Sequence, residues 1–232
     1  MKNIFIIVLI FLILVYLIKG RSFFAPASNK IKSKETVSSI TEKLQTKVLE
    51  RLKSDLTNVG LNSLPDKIAI YAFKEEQVLE VYVKQCNKLH KLKSYKFTNF
   101  SGDLGPKLKE GDKQIPEGIY QLDYLNPNSA YHLSMKVNYP NAFDQAKGKI
   151  EGRDNLGSDI FIHGKNETIG CIPIGDEAIE ELFVLSKNAL SHGIDVVISP
   201  RDFRTNPDEP EITSVNWSDE LYQNIKLKLK HS

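Results

Sequence analysis

The most informative segment of the chain is Ile160-Phe161-Ile162-His163-Gly164-Lys165-Asn166-Glu167-Thr168-Ile169-Gly170-Cys171. Its apolar beginning favours a buried strand that ends at a histidine. The glycine after the histidine permits a turn, and a second glycine directly precedes a cysteine. We therefore expect a strand and a tight loop that present one imidazole and one thiol to each other.

Such a pair can form the centre of a nucleophilic site. A thiol becomes reactive when a base or cation within hydrogen-bond reach favours the thiolate, and His163 can play that part for Cys171. Backbone N–H groups of the loop can then face a developing oxyanion. Spacing alone leaves other interpretations open, because two such residues eight positions apart can also be incidental. A zinc ion held by His132, His163 and Cys171 is chemically conceivable, although no acidic partner of suitable spacing supports it.

The bulk composition is that of an ordinary globular protein. The chain has 232 residues, of which 41% are hydrophobic and 26% are charged, enough for one catalytic core and additional helices. The formal net charge of +2 and the scattered lysines give no basic strip for nucleic acid. A disulfide between Cys86 and Cys171 would block the nucleophile, and a chain of this length does not need one to fold.

The amino terminus contains an unbroken apolar run at positions 4 to 18, followed by Lys19 and Arg21. A helix of that length spans about 22 Å, less than the hydrocarbon core of a membrane at about 30 Å. Residues 1–21 are therefore predicted to be a signal peptide or an uncleaved membrane anchor. Either would export the rest of the chain, to the periplasm or the outer face of the inner membrane. An inner-membrane protein with a cytoplasmic domain is the alternative.

Hydrophobic periodicity predicts a mostly antiparallel β domain with helices at its margins. After a polar linker over 22–36, an amphipathic helix over 37–60 is indicated by apolar residues at every fourth position, and we expect it to pack on the domain itself. The predicted strands cover 67–73, 77–84, 89–98, 119–124, 130–137, 160–162 and 194–199. The later predicted helices cover 176–190, with Asp176 as N-cap, and 217–230. The predicted organisation is a catalytic domain over 61–204 and a C-terminal loop and helix over 205–232.

Further motifs flank the histidine and the cysteine. In order they are Gly105-Pro106-Lys107, Gly111-Asp112, Pro116-Glu117-Gly118-Ile119-Tyr120, Tyr131-His132-Leu133-Ser134, Tyr139-Pro140-Asn141, Asp144, Gly152-Arg153 and Gly157-Ser158. Together with His163-Gly164 and Thr168-Ile169-Gly170-Cys171, this series resembles the L,D-transpeptidase (YkuD-type) catalytic domains, and their YafK-like branch in particular. The resemblance covers roughly Lys67 to Arg204.

The resemblance implies an α+β fold, mainly β with flanking helices around a sandwich- or barrel-like catalytic domain. It implies action on peptidoglycan stem peptides, with Cys171 as the acyl-accepting thiolate and His163 as its base. The loop implied to support the oxyanion consists of Gly164, Thr168, Ile169 and Gly170. His132 matches an upstream histidine that either faces the substrate or makes a structural hydrogen bond. No cofactor and no metal are expected, and we expect a monomer.

The sequence departs from the wider family in three ways. The gap between the histidine and the cysteine is shorter than usual, and Thr168 stands where serine is common. Pro173 stands where many members carry an arginine, which would be placed to hold a carboxylate. Arg153 is the candidate to replace that arginine.

The expected reaction is a two-step acyl transfer through a Cys171 thioester. With water as acceptor the enzyme is an amidase that releases peptidoglycan-linked lipoprotein, the outcome that the branch-specific motifs favour. With an amine as acceptor it is a transpeptidase that forms cross-links or protein–wall links. A catalytically silent wall-binding module is a hypothesis of another class. A cysteine peptidase would need Asn166 or Asp159 to orient the histidine.

Overall fold

A computed structural model describes residues 34–230. The predicted signal peptide or anchor over 1–21 and nearly all of the predicted linker over 22–36 lie outside the described residues. Among residues 34–230, no helix has the length and apolar character needed to cross a membrane. The described residues from Thr36 onward form one compact unit.

Eight strands and four α-helices make up this unit. The strands are β1 (Ile68–Phe73), β2 (Val78–Gln85), β3 (Lys88–Lys96), β4 (Gly118–Asn126), β5 (Ser134–Val137), β6 (Phe161–His163), β7 (Ile172–Pro173) and β8 (Asp195–Ser199). The helices are α1 (Val37–Asn58), α2 (Ala142–Ile150), α3 (Asp176–Ala189) and α4 (Ser218–Lys230), and a 3-10 turn at Leu190–His192 follows α3.

The strands form one curled sheet in the order β3-β2-β1-β8-β4-β5-β6-β7. Neighbouring strands are antiparallel except for β1 with β8 and β6 with β7, which are parallel. The predicted fold class, mainly β with flanking helices, is confirmed.

Alternating side chains of the sheet face two hydrophobic clusters. Ile70 and Ile198 point into the larger cluster, where α1 and α3 cover the sheet. Tyr71 and Val197, one position away on the same strands, point into the smaller cluster beneath α4. The predicted amphipathic helix is present as α1, and its buried residues Val48, Leu52 and Leu56 lie on the four-residue stripe.

The helix α2 was not predicted, because it buries little apolar surface. Among its residues only Asp144 and Gly148 are buried. It is fixed instead by a capping box, in which Asn141 accepts from the Asp144 N–H and the Asp144 carboxylate accepts from the Asn141 N–H. The predicted strand over 130–137 is also too long, since only Ser134–Val137 pairs in the sheet.

The N-cap predicted for α3 is wrong by one residue. Gly175 is the N-cap, and Asp176 is the first residue of the helix. The Asp176 carboxylate accepts a hydrogen bond from the backbone N–H of Lys165 at 2.8 Å. Asp176 therefore fixes the turn after His163 instead of capping its own helix.

A buried ion pair anchors the long loop between β3 and β4. Lys74 Nζ lies 2.9 Å from Glu117 Oε1, and both side chains are fully buried. Lys74 also donates to the carbonyl oxygens of Gly105 and Ile115, while Tyr222 on α4 donates to Glu117 Oε2. These contacts link the residue that follows β1, the loop and α4, so they hold the loop in one place.

Candidate active site

The strands β6 and β7 bring the predicted base and nucleophile to one face of the sheet. Ile162 pairs with Ile172, and both side chains point into the larger core. Side chains alternate along a strand. His163 follows Ile162 and Cys171 precedes Ile172, so both point to the opposite face. His163 pairs with Pro173, two residues after Cys171 on the neighbouring strand. The Cα atoms of His163 and Cys171 are therefore about 8 Å apart, a distance that an imidazole and a thiol can bridge.

The orientation of His163 is set by the residue that follows it. Its Nδ1 lies 2.6 Å from the carbonyl oxygen of Gly164. Because a carbonyl oxygen can only accept, Nδ1 carries the proton and Nε2 is left with its lone pair. A backbone carbonyl thus does what an Asn or Asp side chain does in many cysteine peptidases.

Tyr131 packs on the imidazole. The two ring centroids are 4.6 Å apart with an interplanar angle of 35°. His163 is almost fully buried, and this burial lowers its pKa, while the Gly164 carbonyl and the charge of Glu167 offset part of the effect. The imidazole is therefore held in the neutral form, which can accept a proton from the thiol.

Gly164 is needed because the chain passes between α3 and the segment before β5. A Cβ at this position would lie 2.6 Å from Asp176 Oδ1 and 2.8 Å from the carbonyl oxygen of Tyr131. Gly170 has φ +119, and a Cβ there would lie 3.0 Å from the carbonyl oxygen of Gln114. Both glycines allow the His–Cys loop to approach neighbouring backbone.

The thiol of Cys171 lies in a half-buried position beside backbone and cationic groups. Its Sγ is 3.5 Å from the carbonyl oxygen of Asp159. Burial raises the pKa of the Cys171 thiol, and the Phe161 N–H and the charges of Lys136 and Lys107 offset part of that increase. Both pKa shifts favour the uncharged forms, a neutral thiol and a neutral imidazole.

The Thr168 hydroxyl holds the loop before the nucleophile. It accepts from the Cys171 N–H at 3.0 Å and donates to the Cys171 carbonyl at 2.7 Å. The Gly170 N–H donates to Ser101 Oγ at 2.8 Å. These two N–H groups therefore already have hydroxyl acceptors, and the oxyanion role of Gly164 and of Thr168 to Gly170 stays a prediction. Ile169 at the tip of this loop is 79% exposed.

The two residues suggested for substrate binding lie in other contacts. His132 turns its ring to α3, where Nε2 is 3.1 Å from Glu180 Oε1. Arg153 pairs with Glu151 and donates to the carbonyl oxygen of Leu108 at 2.7 Å. Neither side chain has a hydrogen bond to His163 or Cys171 in the described part of the chain.

The cysteines do not form a disulfide; both are free. Cys86 and Asn87 form the two-residue turn between β2 and β3, each with positive φ, as such a hairpin requires. No group of three or more His, Cys, Asp or Glu side chains is placed to hold a metal among residues 34–230. A cavity of about 510 Å³ lies near the start of β1 and one of about 380 Å³ lies beneath α4, and Cys171 lines neither.

Sequence reasoning missed Tyr131, Lys136 and Ser101 at this site. Tyr131 belonged to a quoted motif, but nothing in the sequence shows that its ring reaches the imidazole. Lys136 alternates with the apolar Met135 and Val137, which indicates a face but not the neighbouring strand. Ser101 is seventy positions from Cys171, and only the folded loop brings them together.

A buried imidazole whose Nε2 can accept a proton and a half-buried thiol thus share one face of a mixed eight-stranded sheet, and nucleophilic acyl transfer requires both groups. Residues 68–198 match the L,D-transpeptidase catalytic domain of the YkuD type. The chain belongs to this family, as the sequence motifs predicted.

The chain is 36% identical over 162 residues to YafK of Escherichia coli strain K12, a protein named for the same family. This match covers 68% of the chain and 61% of the relative, so the chain spans about three fifths of that protein's length. Among solved structures it is similar to the helical cell shape determining protein Pgp2 from Campylobacter jejuni, at 22% identity. That similarity covers 76% of this chain and 61% of that chain, with a TM-score of 0.47. It is also similar to Bd1075 of Bdellovibrio bacteriovorus, at 21% identity over 71% of this chain and 56% of that one, with a TM-score of 0.43.

Proposed function

We propose that this protein is a cysteine acyltransferase that acts on peptidoglycan stem peptides and transfers the acyl group to water. The observation that carries the proposal is the orientation of His163. With Nδ1 engaged by the Gly164 carbonyl at 2.6 Å, Nε2 is the nitrogen that can take the Cys171 proton. Family membership supports the peptidoglycan substrate.

The first step is attack on the carbonyl at the L-centre of a diamino acid in a stem peptide. His163 Nε2 takes the thiol proton as Sγ forms the bond to carbon. The tetrahedral intermediate then collapses, the bond to the leaving amine breaks, and the imidazolium gives its proton to that amine. The products are a thioester on Cys171, a free amine and a neutral imidazole.

The second step determines the class of enzyme. Water, activated by the same imidazole, hydrolyses the thioester and makes the protein an amidase that detaches lipoprotein or trims stem peptides. The match to the YafK-like motifs supports this outcome.

Transpeptidation is the second candidate, and the name of the matched Escherichia coli relative favours it. In that reaction an amine replaces water and a cross-link or a protein–wall link forms. Both reactions need a protein on the wall side of the membrane. We therefore also propose that residues 1–21 export the chain to the periplasm or the outer face of the inner membrane, and that it acts as a monomer.

The experiment is mass spectrometry of purified sacculi, with and without attached lipoprotein, after incubation with residues 22–232. The matched control is the Cys171→Ala variant. Release of lipoprotein or trimmed stem peptides by the unmodified protein alone supports the amidase. New cross-linked or protein-linked muropeptides support the transpeptidase. Identical products from both proteins contradict catalysis by Cys171 and support a wall-binding module.

A further inference from the structure

A buried lysine lies two strands from the nucleophile on the same sheet face. Lys136 on β5 pairs with Phe161 on β6, and Phe161 precedes the Ile162–Ile172 pair that joins β6 to β7. Lys136, Phe161 and Cys171 therefore form one row across three strands. Neighbouring strands are about 4.8 Å apart, so the ends of the row are about 10 Å apart at their Cα atoms.

The Lys136 ammonium is held in a defined position. Its Nζ lies 2.9 Å from Asp159 Oδ1 and 5.1 Å from the centre of the Phe161 ring. The lysine side chain is 11% exposed, whereas that of Asp159 is 77% exposed. An ammonium has three donors, and in the described part of the chain Asp159 is its one hydrogen-bond acceptor.

Asp159 joins this pair to the nucleophile. Its carbonyl oxygen lies 3.5 Å from Cys171 Sγ, and its carboxylate faces Lys136. Its φ of +57 is unusual for a residue other than glycine, although aspartate tolerates it. This conformation turns the main chain toward the thiol and the side chain toward the lysine.

We propose that Lys136 and Asp159 form a subsite for a free α-amino-α-carboxylate group on the acyl donor. Lys136 binds the carboxylate, and Asp159 binds the ammonium on the same carbon. The inference rests on the proposed function, because the second centre of a diamino acid carries such a group. It assigns to Lys136 on β5 the carboxylate recognition that Pro173, at the position of the wider family's arginine, cannot supply.

The dimensions of the row fit this ligand. In a diamino acid with three methylenes between its centres, the attacked carbonyl and the distant carboxylate are about 7–8 Å apart when extended. With the carbonyl at Cys171 Sγ, the carboxylate reaches the lysine end of a row about 10 Å long. The aromatic face of Phe161 lies between them and can pack against the methylenes.

Binding to the Cys171→Ala variant tests the subsite without turnover. The probes are a stem tetrapeptide whose diamino acid has a free second centre, the same peptide amidated at that carboxylate, and the same peptide acetylated at that amine. We expect titration calorimetry to give about ten- to hundredfold tighter binding for the free peptide, since each charge-assisted bond has that scale. Lys136→Gln should abolish discrimination against the amide, and Asp159→Asn should abolish discrimination against the acetylated form. Lys149→Gln removes an exposed lysine of α2 and serves as the matched charge control.

The outcomes separate the subsite from the proposed function. Equal affinity for the three peptides overturns the subsite and leaves stem-peptide binding intact. No binding of any of them overturns the proposed substrate, and the subsite with it. Equal weakening of all three peptides by Lys136→Gln overturns the recognition role, because a lysine that only supports the fold would act without regard to the ligand's charge.

Discussion

The Tyr131 ring lies on the His163 imidazole with their centroids 4.6 Å apart, and it is the tyrosine that meets solvent, with 41% of its surface exposed. Tyr131 therefore covers one face of the His163 imidazole. It keeps water from one face of the imidazole and restricts the rotation of the ring. Since burial is what lowers the pKa of His163, part of that effect depends on Tyr131.

Removing the aromatic ring should slow the reaction without unfolding the protein. We expect Tyr131→Leu to lower kcat about two- to tenfold, the scale of an aromatic pair, with little change in KM. Tyr131→Phe keeps the ring and should retain most activity. Steady-state kinetics on a stem-peptide substrate measure both variants. If the phenylalanine variant is as slow as the leucine variant, the hydroxyl and not the stacked ring matters.

The pH dependence of the activity should follow the protonation of His163. In the proposed mechanism the neutral imidazole is the active form, and burial holds its pKa below the ordinary histidine value of about 6.5. Activity should therefore be lost only as the pH falls through that lower value, and more than half of the plateau kcat/KM should remain at pH 6.5. In Tyr131→Leu the acid limb of the pH–rate profile should move to higher pH. A pH–rate profile and an NMR titration of the His163 ring in Cys171→Ala give two independent measurements, and a limb at or above the ordinary value contradicts a buried base.

The same shift predicts a stability change in acid. The unfolded chain takes up a proton on this histidine at its ordinary pKa, whereas the folded protein does so at a lower pH. Between those values protonation favours unfolding, so His163 should destabilise the fold as the pH falls below about 6.5. Urea denaturation of the native protein and of His163→Gln across this range isolates the contribution. An identical pH dependence in both proteins contradicts the shift.

Much of this fold follows from local sequence patterns, and the site follows only in part. The four-residue stripe of α1 predicts both the helix and its buried face. A capping box such as that of Asn141 and Asp144 can be found by its spacing even where no apolar stripe exists. By contrast, Tyr131 and Lys136 reach the site through strand register and a loop crossing. No local pattern specifies which strand becomes the neighbour, so pairs of distant residues could not be predicted.

The Thr168 hydroxyl should be required for activity more than for stability. Thr168→Val keeps the shape of the side chain but loses the bonds to the Cys171 N–H and carbonyl, so the backbone around the thiol is no longer fixed. We expect roughly a tenfold lower kcat/KM, the scale of one or two hydrogen bonds, with a small change in Tm. Thr168→Ser should retain activity, because its hydroxyl can make the same bonds. Equal activity of the valine and serine variants would argue against this role.

The buried ion pair of Lys74 and Glu117 should make a large contribution to the free energy of unfolding. Glu117→Gln leaves a buried ammonium without its counter-charge, and we expect a loss of about 3–5 kcal/mol in the free energy of unfolding. Tyr222→Phe removes only the bond to Glu117 Oε2 and should cost less. Urea denaturation followed by circular dichroism compares them. A loss for Glu117→Gln no larger than that for Tyr222→Phe would mean that the ammonium keeps a partner or is neutral.

The two free cysteines should differ sharply in their reactivity toward an acylating inhibitor. Cys86 lies in the exposed turn between β2 and β3, whereas Cys171 is half-buried and shares a sheet face with the oriented imidazole of His163. Access alone would favour Cys86, but acylation needs a base that takes the thiol proton. We therefore expect a carbapenem to give one adduct, on Cys171, measured by intact mass and peptide mapping. The adduct should persist in Cys86→Ser and disappear in Cys171→Ala. It should form at least about a hundredfold more slowly in His163→Ala, the lower end of the range for general-base catalysis. An adduct on Cys86, or an unchanged rate without the imidazole, would mean that exposure and not the histidine controls thiol reactivity.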